Sequence, residues 1–136
     1  MQIIIASPTE IHKVNSFFTE HLNPNSSELY SAEFLCPLGI QAAIRRNQMV
    51  IAVVDGEIVG AMRFYPKKTN NTISLYQFAI SKEHRGKGIL KKMLLFIKAA
   101  PILALCPVAS EFNHYFLKTD WQLQKKRGEY NEWIFK

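Results

Sequence analysis

The stretch Glu83-His84-Arg85-Gly86-Lys87-Gly88-Ile89-Leu90 has the make-up of an anion cradle. Gly86 and Gly88 let the backbone turn sharply and approach a ligand closely. A strand-like apolar run, Ile73 to Ile80, precedes them, and an amphipathic helix-like run, Ile89 to Ala100, follows. The first N–H groups of a helix have no intrahelical acceptor, point the same way, and sit at the positive end of the macrodipole. The chemistry favoured by this pattern is the holding of a phosphate group. Arg85 and Lys87 are placed either to add cationic contacts or to serve as solvated turn residues. Two familiar alternatives do not fit. There is no Gly-x-x-x-x-Gly-Lys-Ser/Thr string, and a dinucleotide fingerprint would need a small residue where Lys91 stands.

Other reactive side chains give weaker patterns. Tyr115 shares a predicted helix face with Phe112 and Phe116, where it reads as a core aromatic. Cys106, in an apolar run beside Pro107, has no evident basic partner and reads as inert packing. His12, His21 and His84 show no ligand spacing with cysteine or carboxylate, so no metal site is expected. Cys36 and Cys106 form no Cys-x-x-Cys pattern, which suggests a reducing compartment, the cytoplasm. No apolar run is long enough to span a membrane. Met1 to Ile5 reads as a strand and not as a secretory leader. The net charge of +6 comes from scattered doublets such as Arg45-Arg46 and Lys91-Lys92. Solvated faces account for them; an anionic cofactor or macromolecule is the alternative.

These residues need elements to position them. The 136-residue length predicts one domain over residues 1–136. Ser7-Pro8-Thr9-Glu10 is a helix start with a capping box, followed by Ile11, Val14, Phe18 and Leu22 at helical spacing. Asn23-Pro24-Asn25-Ser26 ends that helix. A short helix is expected over Glu28 to Phe34, an interruption at Cys36-Pro37, and a further helix over Gly39 to Arg46, with Asn47 as its cap. Met49 to Val54 and Glu57 to Tyr65 flank Asp55-Gly56, a two-residue hairpin turn. Pro66 to Asn71 reads as a polar loop. Ile102 to Cys106 is a short buried strand between prolines. Ala109 to Lys118 is a helix, and Trp121 to Arg127 and Tyr130 to Phe135 are the last strands. Hairpins mixed with crossover helices predict an α/β (α+β) fold with a mixed sheet and helices on both faces.

The element order and the Arg85-Gly86-Lys87-Gly88-Ile89 turn resemble the GNAT superfamily of acyl-CoA-dependent N-acetyltransferases. The superfamily's turn signature is Gln/Arg-x-x-Gly-x-Gly/Ala, which Gly86 and Gly88 match and in which Glu83 departs from the first position. Leu90 stands where many members have a third glycine. Leu75 to Ile80 looks like the family's fourth strand. The resemblance implies a mostly antiparallel, twisted sheet with a splayed parallel strand pair. It implies acetyl-CoA as co-substrate, its pyrophosphate held by backbone N–H groups from Arg85 through Gly86, Lys87, Gly88 and Ile89 to Leu90. Its pantetheine arm would pair with Phe78, Ala79 and Ile80 in the slot beside the strand at Leu103 to Cys106, and an N–H near Ala79 or Ile80 would polarise the thioester carbonyl.

The implied reaction is direct transfer of an acetyl group to a primary amine in a ternary complex. Many members carry a tyrosine where this chain has Phe116, so neighbouring Tyr115 becomes the candidate proton donor to the thiolate. Glu28 to Arg46 would line the acceptor site, with Glu28 and Glu33 attracting a cationic amine. Glu33, Glu111 and His114 are candidate bases. Two other classes stand beside this one. A non-catalytic acyl-CoA-binding regulatory or interaction module is suggested by Phe116. Nucleic-acid binding is suggested by the charge and disfavoured by its scatter and the absence of a recognisable motif.

Overall fold

The computed structural model describes residues 1–21 and 36–136. The expected helix over Glu28 to Phe34, with Glu28 and Glu33, lies outside the described residues.

In chain order the elements are β1 (Gln2–Ile5), a 3-10 turn (Pro8–Glu10), α1 (Ile11–His21), α2 (Pro37–Arg45), β2 (Met49–Val54), β3 (Glu57–Lys67), β4 (Thr72–Ile80), a second 3-10 turn (Lys82–His84), α3 (Ile89–Ile97), β5 (Ile102–Pro107), α4 (Phe112–Lys118), β6 (Gln122–Arg127) and β7 (Tyr130–Phe135). The strands form a seven-stranded sheet in the order β1-β2-β3-β4-β5-β7-β6. Strands β4 and β5 pair in parallel, through Ile73 with Ile102 and Ser74 with Leu103. The β1–β2, β2–β3, β5–β7 and β6–β7 pairs are antiparallel. The mixed α/β sheet expected from the sequence is therefore present.

The chain forms two compact units, Met1–Phe64 with Tyr76–Ile97, and Tyr65–Leu75 with Lys98–Lys136. In the first unit, β2 is an unbroken apolar run because both of its faces are covered. Met49 and Ile51 pack with Val14, Phe17 and Phe18 of α1 and with Ile40, Ala43 and Ile44 of α2. The other face meets α3. There a Cβ on Gly60 would stand 3.1–3.2 Å from Ile80, Ile89 and Met93 side chains, so glycine permits the close approach. The hairpin between β2 and β3 turns on Asp55 and Gly56 at φ 51° and 79°, the left-handed pair of a type I′ turn. The first helix is capped as its sequence suggests. The Ser7 N–H donates to Glu10 Oε1 at 2.8 Å, and the Glu10 N–H donates to the Ser7 carbonyl at 2.9 Å.

In the second unit, Phe116 is the centre of an aromatic cluster. Its ring meets Trp121 edge-on at 5.1 Å and stacks on Trp133 at 5.5 Å. Trp121 in turn meets Phe135 at 5.4 Å. Strand β6 is an exposed edge, and Lys125, Lys126 and Arg127 blunt it with charge.

Several boundaries differ from the sequence reading. Helix α2 begins at Pro37, not Gly39, because Cys36 is an extended N-cap and a proline at the first helical position loses no hydrogen bond. Asn47 follows the helix at φ 59°, as a cap should. Helix α3 stops at Ile97, short of Ala100; Pro101 pushes the residue before it out of the helical region. Helix α4 starts at Phe112, not Ala109. The Ser110 N–H donates to the Pro107 carbonyl at 2.9 Å, and Ser110 Oγ accepts from the Phe112 N–H at 3.1 Å, so these residues form a turn. Strand β3 continues through Pro66 to Lys67, into the expected loop.

Candidate active site

The turn from Ser81 to Leu90 is fixed at both ends. The Ser81 N–H donates to the Val59 carbonyl at 2.9 Å, tying the end of β4 to β3. The His84 N–H donates to the Ser81 carbonyl at 2.9 Å, and Ser81 Oγ is hydrogen-bonded to His84 Nδ1 at 2.7 Å. Arg85 Nε donates to the Ile80 carbonyl at 3.1 Å. At the far end Ile89 and Leu90 bury their side chains in the core. Their contribution to a ligand is thus confined to the backbone.

Between these anchors Gly86 and Gly88 adopt φ values of 78° and 76°. A Cβ at either would meet nothing within 4 Å. Glycine is required here by conformation and not by crowding. The first helical N–H to reach back is that of Lys92, which donates to the Gly88 carbonyl at 3.1 Å. The N–H groups before it belong to the helix start and have no intrahelical acceptor. Glu83, Arg85 and Lys87 are exposed around them. The result is an open, cationic, donor-rich surface that suits a phosphate.

The first unit brings together two of the predicted groups, Phe78 to Ile80 at the end of β4 and Arg85 to Leu90 in the turn. Ala79 is buried with α1 and α2, while Phe78 and Ile80 are half-buried. Tyr115 belongs to the second unit. It is half-buried, and its ring meets Phe116 edge-on at 5.5 Å. Burial pushes the phenol above its ordinary value of 10.0; a hydrogen bond with the Thr119 side chain offsets part of this, and the Asp120 charge adds to it. Tyr115 is therefore a neutral phenol at physiological pH, able to donate a proton. Glu111 and His114 are exposed. Phe112, expected on the inner face of its helix, is instead 45% exposed. Phe116 faces inward as expected, and Asn113 turns inward in place of Phe112.

Two residues escaped the sequence reading. Asn113 gathers the second unit around one amide. Its Nδ2 donates to the carbonyls of Pro107, Val108 and Ser110 at 2.9, 3.2 and 2.8 Å. Its Oδ1 accepts from Asn131 Nδ2 and Trp133 Nε1, both at 3.0 Å. The one sequence signal was its spacing of three from Phe116. The other residue is Arg63 on β3, whose guanidinium lies 4.3 Å from the centroid of the Tyr76 ring. Nothing in the local sequence marks it.

Among the described residues no helix is long and apolar enough to cross a membrane. No group of three or more histidine, cysteine or acidic side chains among them could hold a metal.

The structure is similar to a GNAT-family acetyltransferase from Listeria monocytogenes, with a TM-score of 0.79 at 16% identity over 98% of this chain and 92% of that one. It is similar to the PaiA N-acetyltransferase of Thermoplasma acidophilum in complex with coenzyme A, with a TM-score of 0.77 at 15% identity over 99% and 98%. A diaminobutyrate acetyltransferase from Paenibacillus lautus, in complex with its substrate and coenzyme A, gives 0.67 at 16% identity over 98% and 92%. At such identities the likeness is one of fold. No curated protein sequence matches. The sequence profile of the acetyltransferase (GNAT) family, however, matches residues 11–100, well over half of the chain and including the whole turn. The chain belongs to the GNAT acetyltransferase family.

Proposed function

We propose that the protein moves an acetyl group from acetyl-CoA to a primary amine by direct transfer in a ternary complex. The observation that carries this reading is the turn, with its two left-handed glycines, open space above them, and the start of α3 behind them. Backbone N–H groups from Arg85 to Leu90 would hold the pyrophosphate. Lys87 would add charge. Arg85, already bonded to the Ile80 carbonyl, would do so only with its remaining donors. The backbone of Phe78, Ala79 and Ile80 would pair with the pantetheine arm, and an N–H near Ala79 or Ile80 would polarise the thioester carbonyl. Coenzyme A in the Thermoplasma structure, and coenzyme A with a diamino acid in the Paenibacillus one, support these ligand classes.

In this reaction the neutral amine nitrogen attacks the thioester carbon and gives up one proton to solvent, the C–S bond breaks, and the departing thiolate takes up a proton from a donor that solvent then re-protonates. Holding the amine against the thioester is worth about 7–11 kcal/mol in well-oriented systems. Tyr115 is the proposed proton donor, a role its protonated phenol suits. Glu28 and Glu33 are the proposed attractors of the amine. We read residues 1–136 as one acyltransferase domain acting in the cytoplasm, on the ground that Cys36 and Cys106 form no Cys-x-x-Cys pattern.

Isothermal titration with acetyl-CoA tests the reading. A dissociation constant on the order of micromolar, about −8 kcal/mol, is expected. Absence of binding by folded protein overturns it.

One observation favours a second reading, an acyl-CoA-binding module without catalysis. Phe116, in the place of the tyrosine of many relatives, is locked into the aromatic cluster. Release of CoA thiol with any member of a broad amine panel would reject this alternative. Acetyl-CoA binding with no release would favour it.

A further inference from the structure

We propose that Arg63 determines acceptor specificity and that the acceptor amine carries a carboxylate. The proposal rests on the acetyltransferase reading above.

Arg63 pairs with Met49 across β2 and β3 and is half-buried. Its guanidinium lies over the Tyr76 ring. One of its terminal nitrogens stands 3.2 Å from where a Cβ on Gly39 would be, in the first turn of α2. An aromatic face and a bare stretch of helix thus hold the side chain, and neither takes its hydrogen bonds. Among the described residues Arg63 has no ion pair and donates no hydrogen bond. A guanidinium carries five donors in a fixed fork. Half-buried, the fork still faces water, which an anionic ligand can displace with charge-assisted hydrogen bonds. A carboxylate does so with two parallel N–H···O bonds, a geometry that lysine cannot reproduce.

The position of the pair separates it from the phosphate turn. Val59 and Gly60 lie against that turn, through the Ser81 N–H and the Ile80 and Ile89 side chains. Tyr76 precedes Ile80 on β4 by roughly 13 Å of strand at about 3.3 Å per residue. Arg63 lies roughly 10 Å beyond Gly60 on the same scale. An anion held at Gly86 and Gly88 is out of reach of Arg63. An arm laid along β4 from the turn would bring its acyl end toward the Arg63–Tyr76 pair, where the acceptor must come.

Acetyl-CoA titration is the first arm of the test. Wild type and Arg63→Met should bind it equally well. Failure of the wild type to bind defeats the acetyltransferase reading and this proposal with it. The second arm follows thiol release with the L-amino acids, each against its own amide. Wild type should favour the carboxylate member by about 10-fold or more in kcat/KM, the scale of one charge-assisted hydrogen-bonded pair. Arg63→Met should lower kcat/KM for the carboxylates by about 10–100-fold and leave the amides within about twofold. Arg63→Lys should recover part of the loss. Equal use of acids and amides by the wild type overturns the proposal. So does a parallel loss of both in Arg63→Met, or no transfer to any carboxylate amine by protein that binds acetyl-CoA.

Discussion

The turn at Ser81 to Leu90 and the knot around Asn113 and Phe116 are built in opposite ways. The turn works through its backbone. Its charged side chains are exposed, its glycines touch nothing, and Ile89 and Leu90 point into the core. The knot works through side chains, since one amide gathers three carbonyls and two donors while one ring stacks among tryptophans. A surface that receives a ligand, as we propose for the turn, offers backbone donors, and a surface that holds itself together spends its polar groups internally. Substitutions in the turn should therefore cost binding more than stability, and substitutions in the knot the reverse.

The largest stability loss is expected at Phe116. It is 4% exposed, and Phe116→Ala would leave a cavity between Trp121 and Trp133. Such truncations typically cost about 3–5 kcal/mol, which urea denaturation would measure. Phe116→Tyr sharpens the contrast. It introduces the tyrosine that the family resemblance leads one to expect, yet places a hydroxyl inside an aromatic cluster. It should destabilise by about 1–3 kcal/mol through the unpaired hydroxyl and leave acetyl transfer no faster. A faster Phe116→Tyr enzyme would show that the knot is part of the catalytic machinery after all.

Asn113→Ala comes next. It strips Trp133 Nε1 and Asn131 of their acceptor and the Pro107–Ser110 turn of its donor. We expect a loss on the order of 2–3 kcal/mol, allowing about 1 kcal/mol each for Trp133 Nε1, Asn131 Nδ2 and the turn left without a partner, with acetyl-CoA affinity within about twofold of wild type. A loss of acetyl-CoA affinity as large as the loss of stability would erase the distinction between the two regions.

The same distinction explains what the sequence made legible. Gly86, Gly88, Asp55-Gly56 and Asn47 were readable because each announces a local backbone conformation, and all of them take positive φ. The hairpin, the sheet strands and the cradle follow from such local signals together with apolar runs. Asn113 was not readable, because its five partners are spread from Pro107 to Trp133 and meet only after β5, α4 and β7 have formed. Phe112 misled for the same reason. Its helical spacing with Phe116 is real, but the Ser110 turn sets where the helix begins and thus which way it faces. Arg63 and Tyr76 lie far apart in sequence and are joined by the pairing of neighbouring strands.

Gly88→Ala tests the turn. The strain of a left-handed alanine costs about 1–2 kcal/mol, and no clash adds to it because the space is open. Gly56→Ala is the control. Gly56 has φ 79° in the β2–β3 hairpin and also meets nothing within 4 Å. Both variants should lose similar stability in denaturation. Only Gly88→Ala should weaken acetyl-CoA, by about 10-fold, equivalent to about 1.4 kcal/mol. Equal acetyl-CoA affinity in the two variants would remove the turn from the binding site.

The smallest stability effect is expected at Tyr115, and it bears on chemistry most directly. Tyr115→Phe keeps the ring against Phe116 and gives up the hydrogen bond with the Thr119 side chain, so it should cost no more than about 1 kcal/mol at neutral pH. Alkaline pH separates the two proteins. The folded-state phenol titrates above its unfolded value of 10.0. Between those values the unfolded chain has released its proton while the folded one still holds it. The contribution of the hydroxyl to stability is therefore whole below about pH 10 and is lost as the pH rises through the folded value. Denaturation at about pH 8 and about pH 10.5 should show wild type losing stability relative to Tyr115→Phe. Thiol release then tells whether that held proton is used. A proton donor lost at Tyr115 should slow transfer by about 10²-fold or more, with acetyl-CoA affinity unchanged. An unaltered rate would make Tyr115 one more packing ring of the knot, and would leave the departing thiolate to draw its proton from water.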